Sequence, residues 1–354
     1  MRGTHNIVGR GAVSNPKNRF ESIEVLPDFE DLDPEELEPD KPETVYLKDH
    51  ARSIVATNDS PDIGFDAGIS PYRGCSHGCA YCFSRPNHEY LGFSAGLDFE
   101  TKILVKENAP ELLRDKLSSP RWQPKALAMS GSTDVYQPIE KKLKLTRRCL
   151  EVLVEFRNPV IIITKNHLVT RDIDLLSELA GCAAVCVNVS LTTLDDDLRR
   201  VMEPRTSSPK RRVAGIEKLA NAGIPVGVLA APIIPGLNDH ELPNLLRAAA
   251  DAGASFAGYT PVRLPYAVAP LFEEWLERHF PDRKDKVLNH IRDLRGGRLN
   301  DPNFGSRMRG EGVYAEHLAR LFEVSCRRAG LSNNRHPSLS TASFRRQGQT
   351  TLFD

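Results

Sequence analysis

The chain has 354 residues, 40% of them hydrophobic, enough for one large domain with extensions or two modest ones with a real core. Lysine plus arginine and aspartate plus glutamate number 47 each, so the total charge singles out neither a nucleic acid nor a membrane surface. No apolar run of about 18 residues marks a membrane span. Met1-Arg-Gly-Thr-His lacks the apolar core of a signal peptide, so the cytoplasm is the expected compartment, where thiols stay reduced and free to act as ligands.

The neutral total hides an uneven distribution. From Glu21 to Glu43 eleven acids face one base, Lys41, whereas residues 283–346 carry fourteen bases and six acids. The basic end suits nucleic acid, and equally an ordinary solvated helix surface. Residues 1–20 read as an extended arm. Residues 21–43, acidic and punctuated by Pro27, Pro34, Pro39 and Pro42, offer too little apolar surface to offset ordering and read as a loose linker. A short hairpin is expected over 44–60, completing an N-terminal region of residues 1–60.

Residues 61–265 then alternate. Strands are expected at Ala67–Pro71, Lys125–Ser130, Pro159–Thr164 with its three consecutive isoleucines, Ala184–Leu191, Pro225–Ala230 and Ser255–Thr260. Helices are expected at Thr101–Leu117 (its main part starting at Pro110), Leu143–Phe156, Asp172–Ala180, Pro209–Ala222 and Asn238–Ala252. Asn238 and Glu241 have capping-box spacing. Six βα repeats with short connections imply a parallel sheet curling into a partial (β/α)6 barrel. Residues 266–330 read as a helical extension and 331–354 as a flexible basic tail.

The stretch Gly74-Cys-Ser-His-Gly-Cys-Ala-Tyr-Cys82 places Cys75, Cys79 and Cys82 within eight residues. Such a run is a metal-ligand loop or a disulfide cluster, and three sulfurs cannot pair off with nothing left over. Thiolates suit an iron–sulfur cluster or zinc. Three ligands would leave one iron of a cubane open for a further ligand, by the logic of open catalytic metal sites. A zinc site would need His77 or His88 to complete it. Cys149, Cys182, Cys186 and Cys326 lie apart and read as small hydrophobes.

Cys75-x3-Cys79-Ala-Tyr81-Cys82 resembles the signature of the radical S-adenosylmethionine (SAM) superfamily. The resemblance implies a [4Fe–4S] cluster on the three cysteines, SAM as cofactor on the open iron, and reductive cleavage of SAM to a 5′-deoxyadenosyl radical. It also implies a reductant protein of flavodoxin or ferredoxin type. SAM contacts would come from backbone at Tyr81, from Ser130, Ser132, Thr133 and Asp134 after the second strand, and from Ser190 after the fourth. Arg205 would hold the SAM carboxylate. Glu203 would pair with Arg205 or with ribose hydroxyls, with Lys165 as a further candidate and Ala231–Gly236 as an apolar wall for adenine.

Ser70-Pro-Tyr-x-Gly-Cys75, Ser132-Thr-Asp134 and Pro235-Gly-Leu-Asn-Asp239 narrow the resemblance to proteins related to spore photoproduct lyase, often labelled DNA repair photolyase. DNA is then one expected substrate and partner; RNA, a peptide or a small molecule is the alternative, and a non-catalytic iron–sulfur or zinc-stabilised binding protein is the third reading. The enzyme class expected is lyase- or oxidoreductase-like, but those lyases place a hydrogen-donating cysteine just before the Thr/Ser-Asp pair, where this chain reads Ser130-Gly-Ser132, a departure that counts against the lyase reaction itself. The terminal Gln349-Thr-Thr-Leu352-Phe353 is similar to the short peptide by which bacterial DNA-repair proteins dock on the sliding clamp.

Overall fold

In the computed structural model of the chain, residues 7–21, 42–333 and 337–346 are described below. Ten strands are assigned among them: β1 Val45–Lys48, β2 Val55–Thr57, β3 Ala67–Ile69, β4 Tyr72–Arg73, β5 Lys102–Val105, β6 Leu127–Met129, β7 Val160–Thr164, β8 Val185–Ser190, β9 Val226–Ile233 and β10 Phe256–Pro261. Seven form one sheet in the order β10-β9-β8-β7-β6-β3-β2. β3 and the five strands that follow it in this sheet are parallel, and β2 adds antiparallel to β3 at one edge. This is the expected partial (β/α)6 barrel, with β10 and β2 as its two unjoined edges.

The strands are apolar on both faces because both are covered. Val160 and Ile162 of β7 and Val185, Val187 and Val189 of β8 share a core with Leu150, Leu176 and Leu245 of the surrounding helices. The alternate residues Ile161 and Cys186 join Phe256 on the inner face, with Phe65 and Leu339 packed against them. Gly227 is required here, since a Cβ on it would meet the Phe256 ring at 2.2 Å. By the period of two, Ser130, Lys165, Asn188 and Ser190 follow the inner face towards the C-terminal end of the barrel.

Four expectations are corrected. β1 and β2 do not form a hairpin: β1 pairs in parallel with β5 in a separate sheet, and β2 pairs with β3. Residues 102–105 are strand rather than helix, and the helix runs Ala109–Ser118 with Pro110 in its first turn. Asn238 does not cap. Its amide accepts from Ile234 N at 2.6 Å and donates to Thr192 O at 2.7 Å, while Glu241 holds Thr193 Oγ1 and Leu194 N. Residues 337–346 are packed rather than loose: Leu339 lies on the inner-face cluster, Phe344 on the outer core, and Arg345 Nε donates to Glu155 O at 3.0 Å. Gln349, Leu352 and Phe353 lie outside the described residues.

Candidate active site

The loop carrying Cys75, Cys79 and Cys82 follows β4, directly after the first strand of the barrel. All three cysteines are free; Cys75 and Cys79 are buried and Cys82 is half-buried. Gly74 and Gly78 take φ of +76° and +67°, which favours glycine. A Cβ on Gly78 would stand 2.5 Å from Glu100 Oε2. Glu100 is fully buried and pairs with the equally buried Arg85 at 2.5 Å. Arg85 also donates from Nε and Nη2 to Cys79 O at 3.1 and 2.9 Å, so one guanidinium fixes the middle of the loop. Glu100 also accepts Ala12 N on Oε1, the oxygen that Arg85 holds, at 2.8 Å and Gly11 N on Oε2 at 3.1 Å. The N-terminal arm is therefore part of the site.

A second set of bonds anchors the loop to the turn after β6. Thr133 Oγ1 donates to Gly74 O at 2.6 Å, and Gln137 bridges Ser76 N and Gly74 O. Asp134 accepts Thr164 Oγ1, Lys165 N and Tyr136 N at 2.8 to 2.9 Å and faces His77 Nδ1 at 3.4 Å. Burial opposes a charged His77, but Asp134, then Cys75, outweigh it and raise the ring to about 9. Burial likewise raises the Cys75 thiol, and the adjacent His77 more than offsets it, leaving Cys75 below its ordinary value.

Beyond the loop lies a third buried centre. Glu203 is held by Arg212, by Tyr81 Oη, and by Thr192 Oγ1 at 2.7 Å, with Lys165 Nζ 3.9 Å away. Burial disfavours its charge, but Arg212, then Lys165, win and bring it to about 2. Lys165 also stands 5.8 Å over the Tyr81 ring. Asn188 Oδ1, buried on the inner face of β8, has no hydrogen-bond partner among the described residues.

The family model described as the Radical SAM superfamily matches residues 69–249, half of the chain. The chain belongs to the radical SAM superfamily. An uncharacterised protein of Mycobacterium tuberculosis is 36% identical over 244 residues, covering 68% of this chain and 71% of that protein. A radical SAM Nalpha-GlyT isomerase of Pseudomonas phage M6 is 28% identical over 224 residues, 62% of this chain and 44% of that one. Among solved structures, spore photoproduct lyase complexed with dinucleoside spore photoproduct superposes with a TM-score of 0.60 at 17% identity, covering 81% of each chain. At that identity the likeness is one of fold.

The radical SAM fold brings with it a [4Fe–4S] cluster and SAM, and the donor set fits. Burial pushes the Cys79 and Cys82 thiols up, and each is raised further by neighbouring cysteines. Three thiols so close repel as thiolates, which bound metal relieves. Among the described residues no three histidine, cysteine or acidic side chains stand at single-ion geometry. A cubane does not ask for that, because each cysteine binds a different iron. The histidines that would complete a zinc site are engaged elsewhere: His77 faces Asp134, and His88 Nε2 is bonded to Lys102 O at 3.0 Å.

The expected SAM-contact residues divide. Tyr81, Ser190, Glu203 and Lys165 converge beside the cluster loop. Ser130 turns its hydroxyl to Thr133 O, Ser132 is half-buried in the same turn, and Thr133 and Asp134 are engaged in holding the loop and β7. Arg205 is exposed and reaches Thr44 at 3.4 Å. The cation on Glu203 is instead Arg212, seven residues on, because Pro209 starts a helix that turns Arg212 inward. Sequence reasoning passed over Arg212, Arg85, Glu100 and Gln137; only the burial of such charged and amide side chains, invisible in spacing, distinguishes them. Asn188 lies two residues before Ser190 on the same face of β8, and strand alternation is the signal that points to it.

Proposed function

We propose that Cys75, Cys79 and Cys82 hold the [4Fe–4S] cluster of an enzyme that takes a hydrogen atom from a nucleic-acid base, DNA first. When bound, the reduced cluster supplies the electron that splits SAM into methionine and a 5′-deoxyadenosyl radical. The observation that carries the reading is the convergence of three free cysteines on one braced loop at the C-terminal end of the first barrel strand, where parallel α/β barrels place their chemistry. Lys165, half-buried beside Tyr81, takes the role expected of Arg205 and binds the SAM carboxylate. Ser190 and the orphaned Asn188 Oδ1 offer acceptors to SAM or substrate donors. Glu203, kept ionised by Arg212, fixes the Tyr81 hydroxyl and with it the segment between Cys79 and Cys82.

Support for DNA is the fold shared with a protein solved on a dinucleoside photoproduct. The chain has no cysteine where the lyase signature expects its hydrogen donor, so we assign hydrogen abstraction without the lyase outcome. A flavodoxin- or ferredoxin-type reductant is the proposed electron source. No helix among the described residues is long and apolar enough to cross a membrane; we place the enzyme in the cytoplasm. The terminal peptide at Gln349, Leu352 and Phe353 is a candidate clamp contact. The test supplies the reduced, SAM-loaded enzyme with single-stranded DNA, duplex DNA, RNA or peptide. The reading expects DNA to raise 5′-deoxyadenosine above the substrate-free level; stimulation by RNA or peptide alone would overturn the DNA assignment.

A further inference from the structure

The rim outside the site carries aromatic rings that the chemistry above does not use. Phe83, the residue after the last cluster cysteine, is 53% exposed; Tyr266, in the loop after β10, is 65% exposed; Phe20 and Tyr90 are 56% and 72% exposed. Large rings left in water at this density are unusual away from an interaction surface.

These rings fall into two groups, each with an arginine, joined along the chain by residues 263–266. The Arg263 guanidinium lies 5.6 Å from the centroid of Phe83. Three residues on, Tyr266 lies under Arg19 at 3.8 Å. Arg19 also stands 4.9 Å over Phe20, and Phe20 packs on Tyr90 at 4.7 Å between centroids. The strip thus runs from the cluster loop out along the N-terminal arm. Arg19 is neutralised by Glu89 at 2.7 Å. At the Phe83 end Arg263, Arg295 and Arg307 lie near Asp62 and Asp301; Arg307 pairs with Asp62 and bonds Ser60 Oγ, and Arg263 Nη1 lies 3.2 Å from Met308 Sδ. Arg295 gives its hydrogen bonds to four backbone carbonyls, of Ser306, Arg307, Pro261 and Val262, and Arg263 Nε is buried without an acceptor among the described residues.

Aromatic rings more than half exposed and interleaved with guanidinium groups match the chemistry of unstacked bases joined by phosphates. We propose that this strip is a stacking platform for single-stranded nucleic acid, leading a strand past the cluster mouth. The proposal rests on the nucleic-acid reading of the site. Duplex DNA fits it poorly, since duplex base faces are already stacked on one another. An acidic electron-donor protein would be drawn by the guanidinium groups but has no use for four aromatic rings more than half exposed.

The test is fluorescence anisotropy of a labelled oligothymidylate of about 12 nucleotides, a length within the usual range for such grooves, on the cluster-loaded protein without SAM or reductant. The single strand should bind ~10-fold or more tightly than a duplex of equal length. Tyr266→Ala and Phe20→Ala should each weaken binding ~10-fold, on the scale of one lost base stack. Tyr46→Ala, a ring 44% exposed on β1 in the separate sheet, should bind like the parent. Arg263→Gln should lower the salt slope by about one counterion. Iron content and melting temperature report folding of each variant. Equal binding of single strand and duplex, or parent-like binding by Tyr266→Ala, would overturn the proposal. So would flavodoxin displacing the oligonucleotide from the parent protein while losing its own affinity for Tyr266→Ala. Binding through the strip that never raises 5′-deoxyadenosine would leave the platform standing and overturn the DNA-substrate reading. The reverse pattern would do the opposite.

Discussion

At and beneath the cluster loop, Arg85, Glu100, His77, Arg212 and Glu203 are all buried, each beside an oppositely charged partner (Arg85 with Glu100, Arg212 with Glu203, His77 with Asp134), whereas at the rim Phe83, Tyr266, Phe20 and Tyr90 stand more than half exposed beside arginines. The two layers are under opposite constraints. Buried ion pairs add little net stability over apolar packing, but losing one partner is costly. The inner layer therefore holds three thiols in one geometry and tolerates almost no change. The rim is free of the core, so its residues can be altered with the fold intact, as a surface that selects a ligand requires.

The sharpest way to break the inner layer is Cys79→Ala, which should remove cluster assembly and SAM cleavage together, read as iron content and 5′-deoxyadenosine below detection. Next, Arg85→Met strands the Glu100 carboxylate and should cost ~3–5 kcal/mol in anaerobic urea unfolding; adding Glu100→Met should recover part of it. Gly78→Ala forces a side chain into positive φ against Glu100 and should cost ~1–3 kcal/mol, with lower iron content. His88 gives a pH effect. Burial lowers its pKa to about 4, so below the ordinary ~6.5 the unfolded chain binds the proton first. Stability is then highest above pH ~6.5 and falls as pH drops towards 4. Between pH 6.5 and 5 the loss should be ~1–2 kcal/mol, and His88→Gln, which keeps a donor for Lys102 O, should flatten it. Tyr266→Ala, the rim counterpart, should leave unfolding within ~0.5 kcal/mol of the parent. A larger loss there would mean that the two layers are not separate.

Much of this architecture was legible in the sequence, for local reasons. The three isoleucines of β7 and the glycine after the Pro209–Asn221 helix are local signals, and the cysteine spacing marks the loop without any fold. What was not legible depends on partners far along the chain. Ile103 and Leu104 read as a helical face until β1, over fifty residues earlier, offers a parallel neighbour. Glu100 looks like a surface acid until Gly11 and Ala12, nearly ninety residues back, donate to it. Arg205 and Arg212 are equally plausible from composition, and only the turn at Pro209 decides which faces inward. Leu339 lies in a polar, serine- and arginine-rich stretch that reads as loose, yet it seals the inner face of the barrel.

The most direct measurement is anaerobic reconstitution with iron and sulfide followed by dithionite and SAM, with the parent protein and Cys79→Ala run side by side. The account predicts close to four irons per chain and 5′-deoxyadenosine from the parent alone, as a [4Fe–4S] site requires. A chain that takes up one zinc, forms no cluster and yields no 5′-deoxyadenosine would contradict it.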